Sequence, residues 1–290
     1  MTVTHVKWFA IIACSLLLAC SGEFDGKNGI KTIKFPDVDK VCQLIEYKDG
    51  MKNGTLKEFY RNGNLKAIQH FKDDKNVDST IFYHPNGQLA IIQIHKEGRR
   101  EGCWKKFNEA GKVYSEINFR DDLLDGPSKT YSYKSLRLIE SYNFKNGLRD
   151  GKWETFYNSG KPKSVAYYYN DQPGLGAEEY LENGEKINDD FAMKVTESNK
   201  VNLENRLYFY VSLTDPRPDD EVWRVVEKDT GRVLTRYQRL EKKDNVFVLE
   251  FGVYEGGFIM EKVKIAAYRK TASGNTMIKT TTFNASANHY

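Results

Sequence analysis

Side chains suited to nucleophilic or metal chemistry are few in this chain: four cysteines and five histidines among 290 residues. Cys14, Cys20, Cys42 and Cys103 lie far apart, and His70, His84, His95 and His289 show no Cys/His/carboxylate spacing typical of zinc. Acids occur in pairs, Asp73-Asp74 and Asp121-Asp122, but both pairs sit in polar stretches that read as turns, "KDDK" and "RDDL". A paired general acid and base needs burial to separate the two pKa values, and a turn provides none. No glycine-rich phosphate loop or nucleophile elbow is present, and Gly174-Leu175-Gly176 falls at a boundary between repeated units. The expectation is a protein without metal, cofactor or catalytic residues, and not an enzyme.

Cys20 has a different prospect. Lys7 precedes an apolar run from Trp8 to Ala19, broken only by Ser15, which is too short to span a bilayer and reads as a signal peptide over residues 1–19. Its end, Leu17-Leu18-Ala19-Cys20, resembles the bacterial lipobox, which implies that Cys20 is lipidated and becomes the first residue of the mature chain. At ~0.8 kcal/mol per buried CH2, two or three acyl chains hold a soluble body on a membrane. Ser21 in place of an aspartate favours the outer membrane of the cell envelope. Residues 20–40, with Gly, Lys and Asp, read as a tether. Net charge is +4 with acids and bases interspersed, which argues against nucleic acid as partner.

The elements that would carry any surface are repeats. One aromatic column runs Phe59, Tyr83, Phe107, Tyr131, Phe156, Tyr180, at intervals of 24 or 25 residues, and a turn glycine follows most of them: Gly63, Gly87, Gly111, Gly160, Gly184, with Ser135 filling the slot in the fourth unit. A second column runs Tyr47, Phe71, His95, Phe119, Phe144, Tyr168. A third slot holds Gly54, Asp78, Gly102, Gly126 and Gly151. Each unit reads as two short strands joined by an Asn-Gly-like turn, the second alternating as in Leu65, Ala67, Gln69, Phe71, with one face packed and one wet. Such hairpins, side by side, give one antiparallel single-layer sheet that lengthens by ~10 Å per unit.

Gly102-Trp104-Phe107-Gly111 and Gly151-Trp153-Phe156-Gly160 resemble the bacterial MORN-repeat variant, YwqK-type "antitoxin-like" proteins, many of them lipoproteins, over residues 41–188. The resemblance implies all-β hairpin repeats and no catalytic residues. It also raises a second function, an antitoxin-like or immunity protein that neutralises a cognate toxin. A hydrolase of envelope polymer is the weakest reading, because no titratable groups converge.

In a single-layer sheet the aromatic columns are the core, and terminal units need caps. Tyr167, Tyr168 and Tyr169 are consecutive, so at least one points away from the packed face, and Tyr167 and Tyr169 beside Lys161 and Lys163 are a candidate contact surface. Cys42 and Cys103 fall in different repeats, too distant for a disulfide.

Residues 189–290 change pattern. About seven short alternating strands, with turns such as "KDTG" and "ASGN", point to an immunoglobulin-like β-sandwich, with Trp223 in its core and "NASANHY" as a frayed tail. Taken together, these features describe a membrane-anchored, non-enzymatic scaffold that binds a protein or polysaccharide.

Overall fold

The computed structural model describes residues 24–188, 191–227 and 234–290. The expected signal peptide over residues 1–19 and the expected lipidation site, Cys20, lie outside the described residues. Sixteen strands form one antiparallel sheet: β1 (Gly29–Lys34), β2 (Val41–Lys48), β3 (Met51–Phe59), β4 (Leu65–Lys72), β5 (Lys75–Tyr83), β6 (Leu89–Lys96), β7 (Arg99–Phe107), β8 (Val113–Arg120), β9 (Leu123–Leu124), β10 (Gly126–Tyr131), β11 (Leu138–Lys145), β12 (Leu148–Arg149), β13 (Gly151–Phe156), β14 (Pro162–Tyr169), β15 (Gln172–Pro173) and β16 (Glu178–Glu179). Strand follows strand in chain order from β1 to β8, then through β10, β11, β13 and β14. The sheet starts earlier than residue 41. β1, inside the stretch read as a tether, pairs with β2, and Phe24 packs on Tyr47 with ring centroids 5.2 Å apart.

Two kinds of chain reversal build the array, and both need left-handed backbone. The Asn-Gly-like turns close with the glycine amide donating to the carbonyl three residues back, as from Gly63 to Tyr60 and from Gly160 to Tyr157. The five predicted turn glycines have φ from +71° to +100°, which suits a turn followed by a left-handed residue. The fourth unit departs from expectation. Its loop is one residue longer, and Leu136 at φ +56°, not Ser135, takes the left-handed position. That insertion is the origin of the single 25-residue interval.

Between units the reversals are two-residue turns with both residues at positive φ: Asp49-Gly50, Asp73-Asp74, Glu97-Gly98, Asp121-Asp122, Asn146-Gly147 and Asn170-Asp171. This geometry matches strand twist and selects Asn, Asp and Gly. The third slot is also left-handed, from +63° at Asp78 to +117° at Gly54. Each slot residue lies directly opposite a ring of the second column: Gly54 and Phe71, Asp78 and His95, Gly102 and Phe119, Gly126 and Phe144, Gly151 and Tyr168.

The C-terminal unit comprises β17 (Met193–Lys200), β18 (Arg206–Leu213), β19 (Glu221–Glu227), β20 (Leu234–Arg239), β21 (Glu241–Lys243), β22 (Val246–Gly252), β23 (Phe258–Lys270) and β24 (Thr276–Asn288), with one short helix, α1 (Val201–Glu204). Its two sheets run β17-β18-β22-β21 and β20-β19-β23-β24. In chain order that is the A-B-E-D and C′-C-F-G arrangement of immunoglobulin-like sandwiches. Among the described residues there are eight strands rather than seven. The expected tail is structured as far as Asn288, within β24.

The inter-sheet core contains Leu207, Phe209, Val211, Val222, Phe247, Leu249, Val263 and Ile265, each at most 2% exposed. Trp223 is not among them. Alternation turns it to the outer face of its sheet, where it joins Val225, Leu234, Ala266, Tyr268 and Ile278 against Leu175 of the repeat segment. A second contact joins the two units: buried Glu179 accepts from the Thr271 hydroxyl, from the Ser273 amide at 3.3 Å and from Asn275 Nδ2 at 3.4 Å. Nearby, Arg269 makes a buried bidentate pair with Asp220, at 2.8 and 2.7 Å, beneath the Phe191 ring. Burial opposes ionisation of Asp220, but the Arg269 guanidinium and the Arg217 amide outweigh it and hold the carboxyl below its usual range.

Gly160 at φ +87° has open space where a Cβ would stand, so Gly160→Val suffers torsional strain and not a clash. The expected loss is about 2 kcal/mol, seen as a lower thermal midpoint. Leu136→Gly should move the midpoint the other way, by about 0.5–1 kcal/mol after the entropic penalty of glycine. An unchanged midpoint for Gly160→Val would refute the turn assignment.

Candidate binding face

Strand register carries one set of side chains across the whole array on a single face. Ile45 faces Leu56, Leu56 faces Gln69, Thr80 faces Gln93, Trp104 faces Ile117, Ser128 faces Tyr142 and Trp153 faces Ala166. Apart from Asn108 in a turn, every buried side chain of residues 24–188 lies on this face: Ile45, Leu56, Ala67, Thr80, Ser115, Phe119, Ser128, Ser164, Ala166 and Glu179. The opposite face is less dry than a core but not simply wet, because Ile68, Ile81 and Ile92 on it are half-buried. Of the rings in the two aromatic columns, Phe119 alone is buried; the others are half-buried.

Units alternate along this face. Leu56, Trp104 and Trp153 occupy the central slot in the first, third and fifth units, and Thr80 and Ser128 occupy it in the second and fourth. Large side chains flank small ones, and the small ones are covered: Thr80 is 2% exposed and Ser128 1%. The basic residues follow the same beat. Lys52 lies over Phe71 at 5.0 Å, Arg100 over Phe119 at 4.7 Å and Arg149 over Tyr168 at 4.0 Å. Trp104 packs on His95 at 5.5 Å and Phe119 at 4.6 Å. Trp153 stacks on Tyr142 at 4.9 Å and packs edgewise on Phe144 and Tyr168. Their indole N–H groups donate to the Ile94 carbonyl and to Glu140 Oε1. The two tryptophans are four strand steps apart, ~19 Å.

The acid pairs do more than turn the chain. Asp74, Asp122 and Asp171 each accept the backbone amide of the basic residue one unit back, Lys52, Arg100 and Arg149, at 2.8, 2.8 and 3.0 Å. Backbone bonds with Arg100 lower the Asp122 pKa, and the Arg149 guanidinium lowers that of Asp171. These carboxylates hold neighbouring hairpins in step and present the cations over the rings. Sequence reasoning missed this clamp, although the 22-residue offset between acid and base was open to view.

The consecutive tyrosines divide. Tyr168 joins the ring row, while alternation places Tyr167 and Tyr169 on the other face. Lys161 sits in the turn and donates to the Asn183 carbonyl at 2.9 Å, and Lys163 is exposed. Alternation puts Lys163 on that same face as Tyr167 and Tyr169, so the expected contact residues on β14 lie together on the side away from the ring row. Tyr180 closes the first column in a truncated last hairpin, bridged to Lys186, with its hydroxyl donating to Glu178. Cys42 on β2 and Cys103 on β7 are both free, five strand steps apart. Burial raises the Cys103 thiol pKa. Among the described residues, no three His, Cys, Asp or Glu side chains gather as a metal site would require.

His95 stands where the other units carry Phe or Tyr. Burial lowers its pKa below 6.5, and its Nδ1 has no hydrogen-bond partner. A depressed histidine contributes stability above its unfolded pKa that is lost as pH falls towards the folded value. Thermal midpoints should therefore decline as pH drops below ~6.5, and His95→Phe should remove that part of the decline. Parallel pH profiles for wild type and variant would show the histidine to be irrelevant.

No curated protein matches the chain. A family model described as MORN repeat variant matches residues 52–73, 100–121 and 149–171. These are the first, third and fifth units, those with the basic residue and the large central side chain. At these three places the chain is similar to MORN-variant repeats.

Proposed function

We propose that this chain is a lipid-anchored, non-enzymatic scaffold of the bacterial cell envelope, whose repeat array presents its ring-bearing face to a protein or polysaccharide. The observation that carries the reading is the row of half-buried rings flanked by Arg100 and Arg149 and repeated at ~19 Å across the strands. Ring faces accept C–H and cationic groups, guanidinium groups donate to hydroxyls and carboxylates, and repetition suits an extended partner. Neither tryptophan needs a partner for its N–H, so the rings are held in place before anything binds.

The anchor is supported by the apolar leader ending in Leu17-Leu18-Ala19-Cys20. No described helix is long and apolar enough to cross a membrane. Acyl chains on Cys20 supply attachment without one.

Cys20→Ala should abolish incorporation of labelled palmitate and move the protein to the soluble fraction; undiminished labelling rejects the anchor. Whatever protein or glycan is recovered with the wild type from cross-linked intact cells should be lost with Trp104→Ala and Trp153→Ala, at temperatures where both variants remain folded. Equal recovery would reject the ring face as the binding surface.

A further inference from the structure

The sandwich has one edge unlike its others. Among the described residues, β24 pairs with β23 alone, through 13 register pairs from Thr276 to Asn288 without a bulge. β17 of the facing sheet comes near it but does not pair with it. Exposed edges normally carry charges, prolines, bulges or very short strands that discourage pairing. The other edges here do so: β17 carries Lys194, Glu197 and Lys200, β20 has Arg236 and Arg239 and meets its neighbour across a bulge, and β21 is three residues long. Residues 280–288 of β24 read TTTFNASAN, with no charge and no proline. The first part of the strand is near the repeat array, since Met277, Ile278 and Lys279 share a cavity with Lys186, Ile187 and Asn188. The uncharged part lies beyond it.

We propose that this edge pairs with the same strand of a second copy of the chain, antiparallel about a twofold axis at Asn284, so that two four-stranded sheets become one of eight. A neutral segment has no charge to repel its own copy and none to select a charged partner. Centring the nine residues on Asn284 sets Phe283 opposite the other copy's Ala285 twice, large against small, and Thr282 opposite Ser286. Phe283 is half-buried beside Phe209, and Ala285 is fully buried on the same face. One strand in from the edge, Phe258 and Met260 are 74% and 81% exposed, and Met260, Lys262, Asn284 and Ser286 line a shallow hollow of about 410 Å³. That is apolar surface within reach of a pairing chain. An antiparallel pair also leaves the two junctions with the repeat arrays at opposite ends, where they do not collide.

Sedimentation velocity of the full chain in detergent should show a monomer–dimer equilibrium. Asn284 is exposed, so Asn284→Lys and Asn284→Glu leave the fold intact while placing like charges face to face. Each alone should weaken dimerisation about fivefold, and an equal mixture should restore it. Asn284→Cys should give an oxidised covalent dimer, because Cα atoms opposite one another in an antiparallel pair are ~4.5–5.5 Å apart, within disulfide range. The wild type, with Cys42 and Cys103, is the control. A monomer at all concentrations, variants that dimerise like the wild type, or no cross-link beyond the control would overturn the proposal. So would a different protein held at this edge, lost on Asn284→Lys while the chain itself stays monomeric.

Discussion

Left-handed backbone at the chain reversals is the constraint on which the repeat array depends. A hairpin ribbon of this kind turns back on itself about every dozen residues, and each reversal needs one or two residues at positive φ. Most side chains resist that conformation by about 1–2 kcal/mol, so the array is favoured where Gly, Asn or Asp recurs in step, as at all the reversals but those with Glu97 and Leu136. With no second layer beneath the sheet, strand pairing and turn geometry do what an interior does elsewhere. The one-residue insertion at Leu136 shows the tolerance of this arrangement. The loop lengthens, a leucine accepts the strained position, and β10 and β11 keep their register apart from a bulge at Tyr131.

Around that frame the packing is arranged in twos. Large and small side chains alternate from unit to unit along one face, and the small ones, Thr80 and Ser128, are buried. The matching alternation of Lys52, Arg100 and Arg149, each clamped by an aspartate one unit on, makes the structural period close to 48 residues, twice the period of the turns. The family matches follow the longer beat, falling on every second unit.

The far end of the array is closed by the sandwich. Glu179, last in the register of the buried face, would be a desolvated carboxylate without Thr271, Ser273 and Asn275 to donate to it. Leu175 in turn covers an apolar patch around Trp223 and Tyr268 that would otherwise be the outer surface of a sheet. Each unit thus supplies the cap that the other lacks.

The period, the strand content and most of the turns between residues 41 and 188 were legible in the sequence, because turn chemistry is local: the residues that permit positive φ are those written at the turns. The fourth-unit turn was misplaced by one residue, since Ser135 looks the better turn former and only the hydrogen-bonded loop shows that Leu136 takes the strain. Which residues share a face across strands, the clamp from aspartate to the preceding unit, and the outward position of Trp223 were decided by tertiary structure. These depend on register and on what packs against an outer face, and single-chain periodicity does not encode partners distant in sequence. The immunoglobulin-like strand order was similarly suggested by spacing, and it was settled by pairing between strands as distant as β18 and β22.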